Sequence, residues 1–291
     1  PSNNNQTLHY KNINYIGSQL LSSTNNDTYF SGNVNVLNPI NAKYYSPWIG
    51  SGGLTVEGGG NQENLEVNNF ILEPNSNYFG ASGKTRGSSP LAIFGGGNVT
   101  LGQGSKMTLV PIGNSGASQI NGDGFGVAFM QGGYLNVNKD AILNIIPDVS
   151  AADGYAGGAI GTTGSNTTIT VDGGAINYIV DGMQPGQYNH LFNFQGNTSI
   201  KILNGGLIQA KMTNNPGGAA AWGGIFNFAN NGSSNYINVG NRGNLIITTD
   251  NTGQRMIPIN GPLNINNVGA SHVVLAKNAN TSQFSNNAIS A

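Results

Sequence analysis

Apolar and polar residues alternate over short stretches of this chain, and the pattern recurs many times. In "NVTL" at 98–101 and in "YLNV" at 134–137, every second residue is aliphatic. A period of two places successive side chains on opposite faces of a β-strand. The pattern therefore predicts short strands with one buried face, and the predicted inward-pointing pairs are Val99 and Leu101, Leu135 and Val137, Ile169 and Val171, and Ile237 and Val239.

The strands fall into a repeat of about thirty residues. Each repeat consists of a short apolar strand, a Gly/Asn turn, an alternating strand, a second turn and a third strand, as in "VAFMQGGYLNVNKDAILNI" from residue 127. Looser versions begin at Tyr29 and Trp48, and Asn64 begins a candidate further strand. A three-strand repeat of this length is typical of a β-solenoid. Six repeats align on the anchors Phe94, Phe129, Ile160, Phe194, Phe228 and Ile259, with spacings of 35, 31, 34, 34 and 31 residues.

The turns support this all-β prediction. They are rich in Gly and Asn, which adopt positive φ at low cost, and no long stretch shows the 3.6-residue period of a helix. We expect one domain over residues 1–291, with 1–28 as an N-terminal cap or lead-in and 263–291 as the last coil and a C-terminal tail.

Composition narrows the function classes. Charged residues make up 8% of the chain and the net charge is −1, so no basic field attracts nucleic acid or an anionic membrane. The absence of cysteine excludes disulfides and thiolate metal sites. We find no apolar run near 18 residues, so no membrane span is expected. With no signal peptide or sorting signal in view, we expect a module of a longer protein.

One segment, "YFGASGKT" at 78–85, partly matches a phosphate-binding loop. The Walker A motif needs glycine where Tyr78 stands and a helix after the loop. Both are missing, so no nucleotide cofactor is expected.

Candidate binding residues fall into two groups. The connection after each third strand is long and irregular, and insertions in a solenoid often form its binding edge. These connections hold Tyr188, His190 and Trp222, with Lys211 and Arg255 at their margins. The simpler interpretation is that these loops are merely polar.

The second group lies in the tighter turn between the second and third strands. Lys106, Lys139 and Arg242 fall at roughly equivalent positions, while the repeats between them carry Asp172 and Asn204. Charges placed here could also serve only to protect a flat sheet face from edge pairing.

Enzyme chemistry is not expected from these residues. Asp148 and Asp153 form the closest aspartate pair, and Asp172 stands alone. Glycosidases need two carboxylates flanking the bond. The three histidines lie far apart in the sequence with no metal-ligand spacing, so neither a metal nor a cofactor is predicted.

Several repeats resemble a known family. The segments "NVTLGQGSKMTL", "GGYLNVNKDAILNI", "NTTITVDGGAINYIVDG" and "YINVGNRGNLIITTD" resemble the pectate-lyase-like adhesive domain of Gram-positive surface proteins, in particular the ligand-binding region of serine-rich-repeat adhesins of lactobacilli. The resemblance covers roughly Tyr29 to Lys277. It implies a right-handed parallel β-solenoid shaped like pectate lyase but used for adhesion. The calcium–carboxylate cluster of true pectate lyases is missing from this sequence.

The resemblance also implies partners and a location. The family binds acidic, pectin-type polysaccharide such as polygalacturonate, and host epithelial or mucus glycoconjugates, in a pH-dependent way. It is associated with biofilm and with the bacterial cell surface, where the protein is wall-anchored or secreted. We therefore expect a carbohydrate-binding adhesin module. An active polysaccharide lyase or hydrolase and a self-associating structural stalk are the alternatives.

The expected mechanism assigns a role to each candidate. Lys106, Lys139, Lys211, Arg242 and Arg255 would face uronate carboxylates. Tyr188 or Trp222 would stack on sugar faces, and His190 would add positive charge below about pH 6.5. Acid would also protonate Asp148, Asp153 or Asp181 and reduce their repulsion of the ligand, while protonation of the ligand's own uronates would remove the attraction. A binding maximum at mildly acidic pH is therefore expected.

Overall fold

The computed structural model describes residues 7–16, 26–37, 67–81, 89–93, 96–111, 124–129, 131–149, 155–162, 166–182, 188–213, 225–228, 234–249 and 263–277. The regular secondary structure in these ranges is β-strand, and the strands form three parallel sheets.

Sheet A has nine strands, and it contains the alternating "NVTL"-type segments. In spatial order its strands are β1 (Thr7–Lys11), β3 (Asn26–Ser31), β5 (Val67–Leu72), β8 (Asn98–Leu101), β11 (Gly133–Val137), β14 (Thr167–Asp172), β17 (Thr198–Leu203), β20 (Asn235–Val239) and β22 (Asn264–Asn267).

Sheet B also has nine strands, each following a strand of sheet A in the chain. They are β2 (Asn14–Ile16), β4 (Asn33–Leu37), β6 (Asn77–Ala81), β9 (Lys106–Val110), β12 (Ile142–Ile145), β15 (Ala175–Asp181), β18 (Leu207–Thr213), β21 (Asn244–Thr249) and β23 (His272–Lys277).

Sheet C has five strands in the described part of the chain. They are β7 (Leu91–Ile93), β10 (Phe125–Phe129), β13 (Tyr155–Thr162), β16 (Tyr188–Phe194) and β19 (Phe226–Phe228). From β7 to β21 the chain passes through sheets C, A and B in turn, and each strand pairs in parallel with its equivalents in the neighbouring coils. This is a parallel β-solenoid, as the repeat predicted, and it is compatible with a pectate-lyase-like fold.

Stacked aliphatic ladders form the core of the solenoid. Val99 pairs with Leu135, Leu135 with Ile169, and the ladder continues through Ile200 to Ile237. All five side chains are fully buried. Burial of one such side chain stabilises a fold by roughly 1.5–3 kcal/mol. The predicted alternation is confirmed, because the partners Leu101, Val137, Val171 and Val239 are buried as well.

Sheet C carries an aromatic ladder. The rings of Phe192 and Phe194 stack at 5.4 Å between centroids, and Phe194 and Phe228 lie 5.7 Å apart. The predicted anchor Ile160 needs correction, because Phe129 and Phe194 both pair with Thr162. Ile160 and Thr162 both point inward, two residues apart. Thr162 is the residue equivalent to the phenylalanines, but Ile160 is the apolar one of the two and was therefore predicted as the anchor.

The first and last described strands lie in the two end segments named in the sequence analysis. β1 and β2 already pair with β3 and β4, so sheets A and B begin inside the predicted lead-in. β22 and β23 are the last described strands and lie within the predicted last coil. The repeat predicted from Trp48 lies outside the described residues.

The segment considered as a phosphate loop begins as a strand. Tyr78 on β6 is buried, with its ring edge-on to Phe30 at 5.7 Å and to Phe70 at 5.6 Å. Burial raises the pKa of the Tyr78 phenol well above its ordinary value, because the phenolate is poorly solvated there. Its hydroxyl has no hydrogen-bond partner among the described residues.

Candidate functional site

The turns from sheet A to sheet B stack along one edge of the solenoid. We call this the turn edge, and it comprises residues 73–76, 102–105, 138–141, 172–174, 203–206 and 240–243. A backbone hydrogen bond within the turn closes it, for example from Ala141 N–H to Asn138 C=O at 3.0 Å. Bonds between coils join the turns, as from Asp140 N–H to Gly173 C=O at 2.9 Å. The side chains of this edge are thus held at regular intervals.

Left-handed backbone recurs at the third position of these turns. Gly104, Asp140, Gly205 and Arg242 all have φ between 60° and 79°. Glycine adopts this conformation freely, whereas a long side chain such as arginine is strained there. The edge therefore retains a charged side chain, Arg242, at a position where glycine would fit better.

A polar groove of about 640 Å³ lies on the turn edge. Its lining consists of side-chain amides, carboxylates, one ammonium group and one glycine: Gln103, Asn138, Lys139, Asp140, Asp172, Gly173 and Asn204. The formal charge of the lining is −1, from one lysine and two aspartates. The groove therefore offers both hydrogen-bond donors and acceptors, as a sugar ring with several hydroxyls requires.

Side-chain hydrogen bonds order one wall of the groove. Asn204 Nδ2 donates to Asp172 Oδ1 at 2.5 Å, and Asn241 Nδ2 donates to Asn204 Oδ1 at 3.4 Å. The chain of bonds ends on the Asp172 carboxylate, which accepts only. Both amides keep a fixed orientation as a result, which reduces the entropy lost when a ligand binds.

Three of the predicted basic residues lie on the turn edge or directly beside it. Lys139 lines the groove, Lys106 starts β9 one coil away, and Arg242 is exposed three coils beyond Lys139. Three inter-strand spacings amount to about 14 Å. Lys106 is not equivalent to the other two, because it begins β9 and pairs with Ile142, whereas Lys139 and Arg242 lie in turns.

Lys211 lies elsewhere. It is exposed on the outer face of sheet B, paired with Ile179 and Thr248 in the neighbouring coils. The structure therefore does not bring Lys211 to the groove.

The interpretation of His190 as a surface contact is wrong. Residues predicted as a loop form β16, where His190 is fully buried and pairs with Gly158. A glycan at the surface does not reach this imidazole. Tyr188 is the first residue of the same strand, and Trp222 and Arg255 lie outside the described residues.

Asp140 was not among the predicted site residues, and Asp172 was predicted to stand alone. The two carboxylates line one groove because they stand 32 residues apart, which is one repeat. Of the other acidic candidates, Asp181 accepts a hydrogen bond from Thr213 Oγ1 at 3.0 Å, and Asp153 lies outside the described residues.

Two exposed aromatic residues were missed as well. Tyr134 and Tyr236 are 51% and 41% exposed on the outer face of sheet A. Their sequence signal was present, because "YLNV" and "YINV" each begin with tyrosine at the outward position of an alternating strand.

In the part of the chain that the structure describes, no three His, Asp or Glu side chains come together in a way that could hold a metal ion. Within the same ranges, no helix has the length and hydrophobicity needed to cross a bilayer.

The comparisons with known proteins gave no match: no family model, no curated protein and no solved structure matches the chain. The assignment of the fold therefore rests on the strand pairing itself.

Proposed function

We propose that this chain is the non-catalytic, carbohydrate-binding module of a bacterial cell-surface adhesin. Its ligands in this proposal are acidic, pectin-type polysaccharide and host epithelial or mucus glycoconjugates. The observation that carries the proposal is the turn-edge groove, whose lining combines amides, carboxylates and a lysine on a rigid, repeating backbone. The sequence resemblance supplies the choice of an acidic ligand.

Lys139 and Arg242 supply the attraction for uronate carboxylates in this proposal. They lie about 14 Å apart along the turn edge, three inter-strand spacings of about 4.8 Å. An extended glycan lying along the solenoid axis would contact both. Each exposed ion pair contributes below about 1 kcal/mol, so several sugars must bind together, and salt must weaken the binding.

The net charge of the lining bears on the proposed pH dependence. Its formal charge is −1, because two carboxylates, Asp140 and Asp172, stand against the ammonium group of Lys139, so the groove as a whole repels a uronate polymer. In this proposal a less negative groove binds the polymer better, so binding is pH-dependent and stronger under acid.

The test is a pair of substitutions at Arg242. Arg242→Gly removes the charge and also the strain of a left-handed arginine, so we expect a stability gain of about 1 kcal/mol together with weaker binding to polygalacturonate. Arg242→Lys is the matched control, since it keeps both charge and backbone strain. Binding is measured by biolayer interferometry at two salt concentrations. Unchanged binding by Arg242→Gly, with no effect of salt, would contradict the electrostatic mechanism.

A glycoside hydrolase is the second candidate, favoured by the two carboxylates in one groove. Hydrolysis requires an acid and a base or nucleophile on either side of the glycosidic bond. Reducing-end release from polygalacturonate that disappears in Asp140→Asn would establish the enzyme and refute the proposed binding role. We expect no release by either protein.

A further inference from the structure

The outer face of sheet A carries two exposed tyrosines in one register row. Tyr134 pairs with Thr168, Thr168 with Ser199, and Ser199 with Tyr236. Three inter-strand spacings, about 14 Å, therefore separate the two rings. Between the rings the row contains only the short side chains of Thr168 and Ser199, so the surface there is a trough with an aromatic wall at each end.

Polar side chains form the two banks of this trough. On one bank Asn197 Nδ2 donates to Asn166 Oδ1 at 3.2 Å, and Asn197 Oδ1 accepts from Ser234 N–H at 2.8 Å. The other bank lies two residues further along each strand and includes Asn136 and Lys201, the latter exposed. Lys201 is diagonal to Tyr236, a position within reach of a long side chain.

We propose that this trough is a second binding site, for a linear acidic glycan that runs along the solenoid axis. One pyranose ring of an extended glycan is about as long as one inter-strand spacing, so successive sugars would meet equivalent rungs of the sheet. The tyrosine rings stack on the apolar faces of the sugars at both ends, and the hydroxyls and amides between them bond to the sugar hydroxyls.

Charge complementarity selects an acidic sugar rather than a neutral one. Lys201 is the one charged residue in the tyrosine row and its two banks, counted over the described residues 132–136, 166–170, 197–201 and 234–238. Its ammonium group would pair with a carboxylate on the sugar that stacks against Tyr236. The inference rests on the proposed carbohydrate-binding function, but it assigns a different surface from the turn edge.

The experiment compares two faces of the solenoid in the full chain. Tyr134→Ala and Tyr236→Ala should each weaken binding of polygalacturonate by about tenfold, which corresponds to 1.4 kcal/mol. Lys201→Gln should weaken binding of polygalacturonate and leave any binding of a neutral glucan unchanged. Ile179→Ala is the matched control, because it removes a side chain that is 40% exposed on the outer face of sheet B. Circular dichroism checks that each variant is folded.

The outcomes separate the two proposals. If the parent binds no polysaccharide, both proposals fail. If the parent binds and the tyrosine variants bind equally well, the trough is refuted while the turn-edge proposal stands. If the tyrosine variants lose binding and Ile179→Ala does not, the trough is supported. Equal losses in Ile179→Ala and the tyrosine variants would also overturn the trough, because they would show a general loss of structure.

Discussion

Two glycines of one turn should respond in opposite ways to alanine. Gly240 and Gly243 both belong to the turn between β20 and β21, and neither has a positive φ. A Cβ on Gly240 would have Leu203 Cδ2 at 3.8 Å as its nearest neighbour, an ordinary contact. A Cβ on Gly243 would clash with the carbonyl oxygen of Ile202 in the neighbouring coil and lie 2.8 Å from its carbon.

The magnitudes follow from these contacts. Gly240→Ala leaves the folded state intact and reduces the entropy of the unfolded chain, so we expect a gain of about 0.4–1 kcal/mol. Gly243→Ala must displace backbone that is already bonded within a sheet, and overpacking of this kind costs about 1–3 kcal/mol. At about 2–4 °C per kcal/mol for a chain above 150 residues, Gly243→Ala should melt roughly 2–12 °C below the parent.

The assay is thermal and urea unfolding followed by far-ultraviolet circular dichroism at neutral pH. The comparison isolates the close approach of adjacent coils, because both glycines lie in the same turn and neither has a positive φ. A Gly243→Ala protein that melts with the parent, or a Gly240→Ala protein that is equally damaged, would refute the stacking of coils at this edge.

Three further predictions concern the core and alkaline pH. Ile169→Ala should lower the free energy of unfolding in urea by about 2–5 kcal/mol, since the side chain of Ile169 is fully buried. Ile179→Ala on the outer face should lower it by less than about 1 kcal/mol. Similar losses in the two variants would show that the assigned faces are wrong. Tyr78→Phe should be neutral or stabilising at pH 7, because it removes a buried hydroxyl with no partner in the described part of the chain. The pKa of Tyr78 is raised on folding, so the parent is fully stabilised by the neutral phenol below about pH 10 and loses that stability as pH rises further. Urea midpoints from pH 8 to 11 should therefore diverge above about pH 10 in favour of Tyr78→Phe, and parallel curves would count against the burial of this phenol.

The strands of sheets A and B could be predicted from the sequence because their physics is local. An aliphatic side chain must point inward at every second residue to fill the narrow core. Val99 and Leu101 therefore predict their strand without information on the strands that pair with it. Sheet C was harder to predict from the sequence, since Thr162 occupies an inward position that hydrophobicity does not identify. The loop prediction failed for residues 188–190 for a related reason: the Gly and Pro in the sequence before Tyr188 favour a turn, but the strand that begins there contains polar residues that face the core.

The candidate site could be predicted less well than the fold. Lys139 and Arg242 were found because charged residues are rare in this chain. Asp140 was missed because Asp172, which lines the same groove, is one repeat away in the sequence. Only the register of the coils places both carboxylates in that groove. Tyr134 and Tyr236 were missed because aromatic residues in a strand suggest a core position, while alternation alone places them on the outer face.

The most direct test of the proposed function is a glycan array probed with the intact chain at about pH 4, within the ordinary range for carboxyl groups, and at about pH 7, above it. The proposed function predicts signals on uronate-containing polysaccharides at both pH values, stronger under acid, and no signal on neutral glucans of the same length. Binding to neutral glycans alone, or no binding to any glycan together with concentration-dependent self-association, would contradict it and favour a structural stalk.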